Sequence, residues 1–192
     1  MKDDLPRRKQ DARRRLKAVR ADVFGKAERS ERIAAHLLAD PVWTEAAAVA
    51  LFCALPEEAD PAALALAADA AGVAVAYPRV EGDELTFRVA PSSELVAVPP
   101  FGVREPGPQH SALETFSLIV TPGLGFTAAG DRLGYGRGFY DRALRRLRAA
   151  NPGVRVIGFG FEAQIVPELP VGAFDERLDG VVTEAGLRWV PS

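Results

Sequence analysis

Short apolar runs alternate with amphipathic stretches along the chain, and this alternation predicts strands interleaved with helices. A short apolar run closed by proline or glycine is typical of a strand buried on both faces. Stretches rich in alanine and leucine, or with apolar positions three and four apart, indicate helices. The predicted strands span residues 49–54, 73–77, 84–89, 118–121, 155–161 and 180–183, and the predicted helices span 28–38, 61–71 and 140–150.

Strands that alternate with helices favour an α/β fold with a largely parallel sheet flanked by helices. We expect a single domain over residues 1–192, with a basic helix at its amino terminus. Residues 91–116 are rich in proline, glycine and serine and are expected to form a long loop. Ligands of such sheets bind beyond the carboxyl ends of strands. The strand at 118–121 runs straight into a glycine-rich segment, so we expect a site at that junction.

The amino-terminal segment predicts a further helix with one apolar side, which either Asp3 or Asp4 can cap. Lys9 and Arg13 are four residues apart and share a face, and Arg20 lies seven residues further on the same side. The apolar positions step by four, three and four residues; they are Ala12, Leu16, Val19 and Val23.

Charge is distributed unevenly between this helix and the rest of the chain. Residues 7–20 contain eight basic residues and one aspartate, a net charge of +7; because the whole chain carries −2, the remainder carries −9. Such a stretch is usually a solvated helix face, and a second possibility is an RNA-binding arm. The stretch lacks the interleaved aromatic residues of a base-stacking surface, which weakens the RNA interpretation. A third possibility is that the helix docks by its apolar side and delivers cations to a bound anion.

The segment 130–141 carries the most specific chemistry in the sequence. Its glycines stand at 134, 136 and 138, and a helix follows at once. Glycine lets backbone N–H groups turn towards a ligand, and a helix amino terminus places partial positive charge where an anion would lie. Arg132 and Arg137 add guanidinium groups that match phosphate oxygens, and Asp141 is suited to a divalent cation. We interpret the segment as a polyphosphate-binding loop.

The spacing of these glycines excludes the commoner phosphate loops. The chain has no Gly-x-x-x-x-Gly-Lys-Ser/Thr, and glycines at alternate positions do not fit the dinucleotide motif Gly-x-Gly-x-x-Gly. The structural alternative is a tight turn between a strand and a helix. A plain turn does not need the surrounding arginines and aspartate, which favours the binding interpretation.

Composition bounds the class of protein. At 192 residues, 48% of them hydrophobic, the chain is an ordinary globular size and composition. A net charge of −2 gives no general reason to expect nucleic acid, and the single cysteine excludes internal disulfides. The amino terminus is charged and has no apolar h-region, so we expect no secretory signal, and no apolar run approaches the ~18 residues of a membrane span. We expect a cytoplasmic monomer with no membrane or nucleic-acid partner.

Motifs spread along residues 9–184 match one family in consistent order. The matching segments are Lys9-x-x-x-Arg13 with Leu16, Glu58-Ala-Asp60, 85–89, 101–106, 120–126, Arg132-Leu-Gly-Tyr-Gly-Arg-Gly-Phe-Tyr-Asp141, 159–167 and 178–184. The chain therefore resembles the 5-formyltetrahydrofolate cyclo-ligase (5,10-methenyltetrahydrofolate synthetase) family. The loop that ends at Asp141 is highly specific; the other segments are weak singly and strong together.

The resemblance implies a ligase of one-carbon metabolism that converts 5-formyltetrahydrofolate to 5,10-methenyltetrahydrofolate and releases ADP and phosphate from ATP. The formyl oxygen is a poor leaving group until the γ-phosphoryl group of ATP is transferred to it. Such a reaction needs positioning and charge stabilisation more than side-chain acids and bases. A non-catalytic nucleotide- or folate-binding module of the same fold is the alternative.

The resemblance also implies roles for individual residues. The implied ATP contacts are Lys9, Arg13, Arg132, Leu133, Gly134, Tyr135, Gly136, Arg137, Gly138, Phe139 and Tyr140, with Arg132 and Arg137 expected to act in catalysis. The implied folate contacts are Cys53, Glu58, Tyr135, Gly136, Arg137, Gly138 and Phe139. The implied Mg²⁺ ligands are Asp141 and Asp179, a carboxylate pair suited to a hard cation that keeps several waters.

Some of these residues have structural alternatives, and some positions depart from the family pattern. Cys53 is more commonly a small core residue than a functional thiol, and Asp179 could simply begin a strand. Phe139 stands where the family often has tyrosine, and Arg137 where it often has glycine or lysine. Two further departures, which bear on metal and substrate contacts, are Thr127 for a frequent aspartate and Phe174 for a frequent histidine.

Overall fold

A seven-stranded sheet forms the centre of the protein, of which this computed structural model describes residues 4–99 and 102–191. The strands are β1 (Ala48–Ala50), β2 (Ala74–Glu81), β3 (Glu84–Val89), β4 (Val96–Val98), β5 (Val103–Glu105), β6 (Leu118–Thr121), β7 (Gly125–Phe126), β8 (Arg132–Leu133), β9 (Arg155–Phe159), β10 (Gly180–Thr183) and β11 (Gly186–Trp189). The order across the main sheet is β11-β10-β9-β6-β1-β2-β3. Strands β10, β9, β6, β1 and β2 are mutually parallel, and both edge strands are antiparallel. The predicted α/β class is confirmed.

Helices cover both faces of this sheet. They are α1 (Leu5–Ala21), α2 (Lys26–Leu38), α3 (Pro41–Thr44), α4 (Ala62–Ala71) and α5 (Phe139–Ala150). On one face, α2 and α4 bury Ile33, Leu37 and Leu64 against the central strands. On the other, α5 buries Leu144 and Leu147 against the same sheet. Burial of these apolar stripes is the main force that holds the layers together.

Helix α1 packs at the edge of the molecule on the loops that leave β6. Its buried Ala12 and Leu16 form a small cluster with Leu124, Leu133 and Leu169. The predicted amphipathic helix is therefore confirmed, and its apolar side docks instead of facing water. Asp4 occupies the capping position but makes no side-chain capping bond; Asp3, the other predicted cap, lies outside the described residues.

Strand β2 corrects one prediction, because it continues through Pro78 to Glu81 instead of ending at Tyr77. The carbonyl of Ala76 accepts a hydrogen bond from Leu51 N–H, so alternate β2 residues face β1. Pro78 has the same orientation as Ala76, but β1 has already ended there. The missing proline N–H therefore leaves no sheet hydrogen bond unmade, as at an edge strand.

Three other differences come from pairings that local patterns do not specify. The apolar run predicted as a strand over 49–54 leaves the sheet after Ala50, although Leu51 and Phe52 stay buried. The expected loop 91–116 contains the antiparallel ribbon β4–β5; Phe101, within the matched segment 101–106, lies outside the described residues. The edge strand β11 was not predicted. The bounds of β3, β6 and β10 agree with those predicted.

Candidate active site

Two loops that leave neighbouring parallel strands form the candidate site. β1 and β6 are parallel neighbours in the sheet. After β1 the strand order continues outward through β2, and after β6 it continues in the opposite direction through β9. Such a reversal of strand order opens a crevice at the carboxyl ends of the strands, where ligands of α/β sheets bind. The turn after β1 carries Glu58, and the chain after β6 forms the β7–β8 hairpin and then residues 134–138, here called the glycine loop.

The backbone of the glycine loop is shaped for an anion. Gly136 and Gly138 have φ of 102° and 66°, values that other residues rarely adopt. Gly138 is the capping residue of α5 and, having no side chain, does not compete for the N–H groups of the first helical turn. The dipole of α5 points its positive end at the loop. The geometry fits the predicted polyphosphate-binding loop.

Arg13 joins helix α1 to the glycine loop. Its Nε donates to the carbonyl oxygen of Gly134 at 2.9 Å. Its guanidinium lies against Gly136, where an added Cβ would be 3.0 Å from Arg13 Cζ. The basic helix thus delivers a cation to the loop, as the docking interpretation of its charge predicts.

We predict that Gly136→Ala raises the KM for ATP by at least about tenfold, because the positive φ strains any side chain and the new methyl group displaces Arg13. The free energy of unfolding should fall by about 1–3 kcal/mol. Gly153→Ala is the matched control, since Gly153 has no positive φ and its new Cβ would lie 3.5 Å from Asn151 Oδ1, an ordinary contact. Equal ATP dependence in the two variants would contradict this account of the loop.

Arg137 is the exposed cation of the loop. Its Cζ lies 4.8 Å from the ring centroid of Phe139, and Arg142 Cζ lies 5.4 Å from the same centroid. Arg142 also donates to the backbone carbonyls of Arg137 (3.0 Å) and Asp83 (2.7 Å). Phenylalanine at position 139 therefore supports a guanidinium by cation–π contact, for which no hydroxyl is needed.

Arg132 lies beneath the loop and is buried. Its Nη2 donates to Asp141 Oδ1 at 3.1 Å and its Nη1 to the Pro122 carbonyl at 3.3 Å. The guanidinium also stacks 5.4 Å from the Tyr140 ring centroid, and its Nε has no hydrogen-bond partner among the described residues. Arg132 is thus placed to hold Asp141 and the base of the loop, whereas Arg137 faces outward.

Glu58 is a buried carboxylate at the centre of a polar triangle with Arg20 and Tyr135. Its Oε1 accepts from Arg20 Nη1 (3.2 Å) and from the Tyr135 hydroxyl (2.9 Å), and Arg20 Nη2 donates to that hydroxyl at 2.7 Å. Its Oε2 accepts from the Leu55 amide at 2.9 Å. Burial raises the pKa of the Glu58 carboxyl, and the Leu55 amide, Arg20 and Tyr135 partly oppose that rise. Lys17 Nζ lies 5.5 Å from the centre of the Tyr135 ring.

Three other predicted contacts have mainly structural surroundings. Cys53 is half-buried beside the core, and burial raises the pKa of its thiol to about 12, so the thiol stays protonated. Leu133 packs its side chain against the α1 cluster, while its carbonyl accepts from Leu124 N–H at 2.7 Å. Tyr140 lies under Arg132, and burial raises the pKa of its hydroxyl.

Lys9 bonds to a carboxylate instead of pointing freely at the loop. Its Nζ lies 2.7 Å and 2.5 Å from the two oxygens of Asp175, and Asp175 also accepts from the Gly172 amide. Helix α1 is thereby fixed to the segment that precedes β10. Lys9 and Arg13 hold the helix at two points on the same side of the site.

Asp141 and Asp179, the predicted magnesium ligands, are each bonded to a different arginine in the structure. Asp141 lies in the first turn of α5, whereas Asp179 pairs with Arg148 in the last turn of that helix (2.9 Å). Seven residues of helix separate the two turns by about 10 Å. Asp179 also accepts from the Val156 amide at 2.8 Å, so its carboxylate joins the amino ends of β9 and β10. These contacts agree with the structural alternative, a residue that begins a strand, and the metal role of Asp179 stays a prediction.

We predict that Asp179→Asn lowers the free energy of unfolding by about 1–3 kcal/mol, because it weakens a charge-assisted bond to Arg148. The magnesium concentration required for half-maximal activity should stay that of the wild type. Denaturant unfolding and a magnesium titration check the two parts. A raised magnesium requirement in a variant of normal stability would return Asp179 to the metal site.

Two of the four departures from the family pattern, Thr127 and Phe174, fall outside the glycine loop. Thr127 closes a turn: its hydroxyl accepts from the Asp131 amide at 3.0 Å and donates to the Asp131 carboxylate at 3.1 Å. Phe174 is largely exposed, and its ring centroid lies 5.7 Å from Arg145 Cζ.

Arg20 is the site residue that sequence reasoning missed. It was placed on the basic side of α1, yet it is only 4% exposed and contacts both Glu58 and Tyr135. One signal was available: Ala12, Leu16 and Arg20 recur at intervals of four, so Arg20 continues the stripe of α1 that docks. An arginine in a buried stripe needs an acidic partner.

The fold and site define the class: an α/β protein with a cationic glycine loop and a buried carboxylate beside it. The chain belongs to the 5-formyltetrahydrofolate cyclo-ligase family, whose sequence model matches residues 6–184. It is a ligase of folate one-carbon metabolism. None of the helices in the described part of the chain has the length and apolarity needed to cross a bilayer.

Named relatives and a solved structure agree with this membership. The 5-formyltetrahydrofolate cyclo-ligase of Escherichia coli (strain K12) is 31% identical over 166 residues, which cover 81% of this chain and 88% of that protein. The mouse (Mus musculus) 5-formyltetrahydrofolate cyclo-ligase is 34% identical over 105 residues, 50% of this chain and 52% of its own. The NMR structure of Aquifex aeolicus 5,10-methenyltetrahydrofolate synthetase matches with a TM-score of 0.81 at 28% identity, covering 96% of this chain and 93% of that one.

Proposed function

We propose that the protein cyclises 5-formyltetrahydrofolate to 5,10-methenyltetrahydrofolate at the expense of ATP, with release of ADP and phosphate. One observation carries the proposal beyond family membership. Tyr135 belongs to the glycine loop, and its hydroxyl lies 2.9 Å from Glu58 Oε1. The element suited to phosphate and the carboxylate suited to a pterin edge are therefore side by side, as transfer between the two substrates requires.

The reaction is a phosphoryl transfer followed by ring closure. The formyl oxygen attacks the γ-phosphorus of ATP, the bond to ADP breaks, and the oxygen becomes part of a phosphate leaving group. N10 then attacks the formyl carbon and loses its proton, and the C–O bond breaks to release phosphate. Each step mainly redistributes negative charge on phosphoryl oxygens, which fixed cations and amides stabilise.

The residues divide this work. Arg13, Arg137 and the amino terminus of α5 supply positive charge to the triphosphate. Arg132 positions Asp141 from below. Glu58 accepts N–H donors from the pterin edge, and Phe139 with Tyr135 lines the space between the substrates. Lys9 is paired with Asp175 and would have to leave it to contact a phosphate directly. In this proposal Lys9 therefore fixes helix α1 in place.

The donor set fits a magnesium ion held mainly by the nucleotide. No three His, Cys, Asp or Glu side chains within residues 4–99 and 102–191 are grouped so that they could hold a metal. Magnesium commonly uses one or two carboxylates, substrate phosphates and waters, so Asp141 alone satisfies the protein's part. The bound ion would supply charge neutralisation at the γ-phosphoryl group.

We predict that the double variant Lys9→Ala/Arg13→Ala raises the KM for ATP by about tenfold or more and raises the folate KM less. Arg13 loses its contact with the glycine loop, and α1 loses its ion pair with Asp175. Arg7→Ala/Arg14→Ala on the exposed side of α1 removes the same charge and is the control. Unchanged ATP dependence together with weakened RNA binding would favour the RNA-arm hypothesis instead.

Absorbance distinguishes turnover from binding alone. 5,10-Methenyltetrahydrofolate absorbs near-ultraviolet light that 5-formyltetrahydrofolate does not, so purified protein with 5-formyltetrahydrofolate, ATP and magnesium should show growing absorbance. Protein that binds ATP without any such growth would be the non-catalytic module considered above. Light scattering on the same sample tests whether the protein is the expected monomer. One seven-stranded sheet contains strands from both halves of the chain, which supports the expectation of a single domain over residues 1–192.

A further inference from the structure

We propose that Arg20 is the positioning residue of the folate site: it fixes the Glu58 carboxylate and the Tyr135 hydroxyl in one hydrogen-bonded arrangement, and thereby orients the acceptor that receives the pterin. The inference rests on the proposed function. It concerns a buried residue of α1 whose two side-chain hydrogen-bond partners, Glu58 and Tyr135, are both candidate folate contacts.

The geometry gives Arg20 this role because one planar guanidinium spans both partners. Nη1 donates to Glu58 Oε1 at 3.2 Å and Nη2 to the Tyr135 hydroxyl at 2.7 Å, while that hydroxyl donates to the same Oε1 at 2.9 Å. Arg20 and Glu58 are 4% and 7% exposed. A lysine in the same place has one compact ammonium and does not reproduce the planar fork.

The number of hydrogen bonds that Glu58 already accepts indicates which of its partners must move away when the pterin binds. A carboxylate has about four lone-pair directions, and three are occupied here, two on Oε1 and one on Oε2. A pterin edge with two N–H donors needs two free lone-pair directions on Glu58. Only one is free, so one of the present hydrogen bonds to the carboxylate must break. Tyr135 is 42% exposed and belongs to the loop, whereas Arg20 is buried in a docked helix. The tyrosine hydroxyl is the group that moves, and Arg20 remains as the fixed partner of Glu58.

The same arrangement controls the charge of Glu58. The charged and titratable groups around it are Arg20 and Lys17 on α1, Tyr135 in the glycine loop and Tyr140 on α5. Burial raises the pKa of the carboxyl, and Arg20 is the cation in direct contact that lowers it. Without Arg20 the pKa rises further, so the ionised acceptor is lost as the pH falls and recovers as the pH rises.

The test compares Arg20→Gln, Arg20→Lys and the control Arg14→Gln, which removes a charge from the exposed side of the same helix. Initial rates are measured with 5-formyltetrahydrofolate and ATP between pH 6.5 and 8.5. Arg20→Gln should raise the folate KM about tenfold or more at pH 6.5, with a smaller ratio at pH 8.5, and leave the ATP KM within about threefold. Arg20→Lys should raise the folate KM without the added pH dependence, and Arg14→Gln should match the wild type.

A folate KM raised by one factor at every pH would show a merely structural role and overturn the proposal, as would an unchanged folate KM. If Arg20→Gln does not fold, Arg20→Lys decides: equal rises in both KM values, or no rise in either, overturn the proposal. Wild-type protein without turnover would instead refute the proposed function, so the two failures are distinguishable.

Discussion

Asp141→Asn is expected to lower kcat by about a hundredfold or more while the affinity for ATP changes by less than about tenfold. Asp141 Oδ1 accepts from Arg132 Nη2 at 3.1 Å and from the Glu176 amide at 3.3 Å. Asparagine has the same size and keeps one oxygen that can accept both hydrogen bonds. The variant should therefore fold. Loss of the negative charge weakens the binding of magnesium. The charge of this ion matters most while the γ-phosphoryl group moves between oxygens.

The measurement is kcat as a function of magnesium, with ATP affinity determined separately by equilibrium binding. Asp83→Asn serves as the control, because Asp83 is exposed and contributes only its backbone carbonyl to Arg142. If Asp141→Asn and the wild type turn over equally at limiting magnesium, Asp141 is not the metal ligand. If ATP binding falls in parallel with kcat, the carboxylate serves nucleotide binding instead of the transition state.

Glu58→Gln is expected to weaken folate binding by about 1–3 kcal/mol, roughly a five- to 150-fold rise in the folate KM, with little change for ATP. Glu58 now accepts from three donors, the groups of Arg20, Tyr135 and Leu55. Glutamine has a single acceptor oxygen, so its NH₂ group meets one of these donors and a pterin N–H stays unpaired. Arg20 also loses the counter-charge that makes its burial tolerable.

Steady-state kinetics with each substrate varied in turn checks this prediction, and Glu57→Gln is the matched control. Glu57 is exposed beside the buried Glu58 and should tolerate the same change almost silently. A damaging Glu57→Gln with a tolerated Glu58→Gln would mean that the neighbouring carboxylate contacts the folate.

The elements that sequence predicted well are those specified locally. β3, β6 and β10 begin and end where turn residues interrupt a short apolar or alternating run, and α4 ends where Gly72 adopts positive φ. Strand ends that depend on a partner were placed wrongly. Pro78 interrupts no hydrogen bond only because β1 stops opposite Ala76, and the extent of β1 is a property of the sheet.

The same division applies to the site. The glycine loop could be predicted because its positive φ angles require glycine at particular positions and its charge requires the arginines beside it. The partners of long charged side chains could not be predicted from the sequence. Lys9 contacts Asp175, which is 166 residues away in sequence, and Asp179 joins Arg148 at the far end of α5 from Asp141. Such pairings depend on which helix packs beside which loop, and spacing along the chain does not encode that.

The most direct test of the central claim follows the formyl oxygen. Protein is incubated with 5-formyltetrahydrofolate carrying ¹⁸O in the formyl group, together with ATP and magnesium, and the phosphate is analysed by mass spectrometry. Attack of the formyl oxygen on the γ-phosphorus predicts one ¹⁸O atom in each phosphate released with 5,10-methenyltetrahydrofolate. Unlabelled phosphate, with the ¹⁸O in water, would contradict the mechanism and the assignment of the glycine loop to phosphoryl transfer.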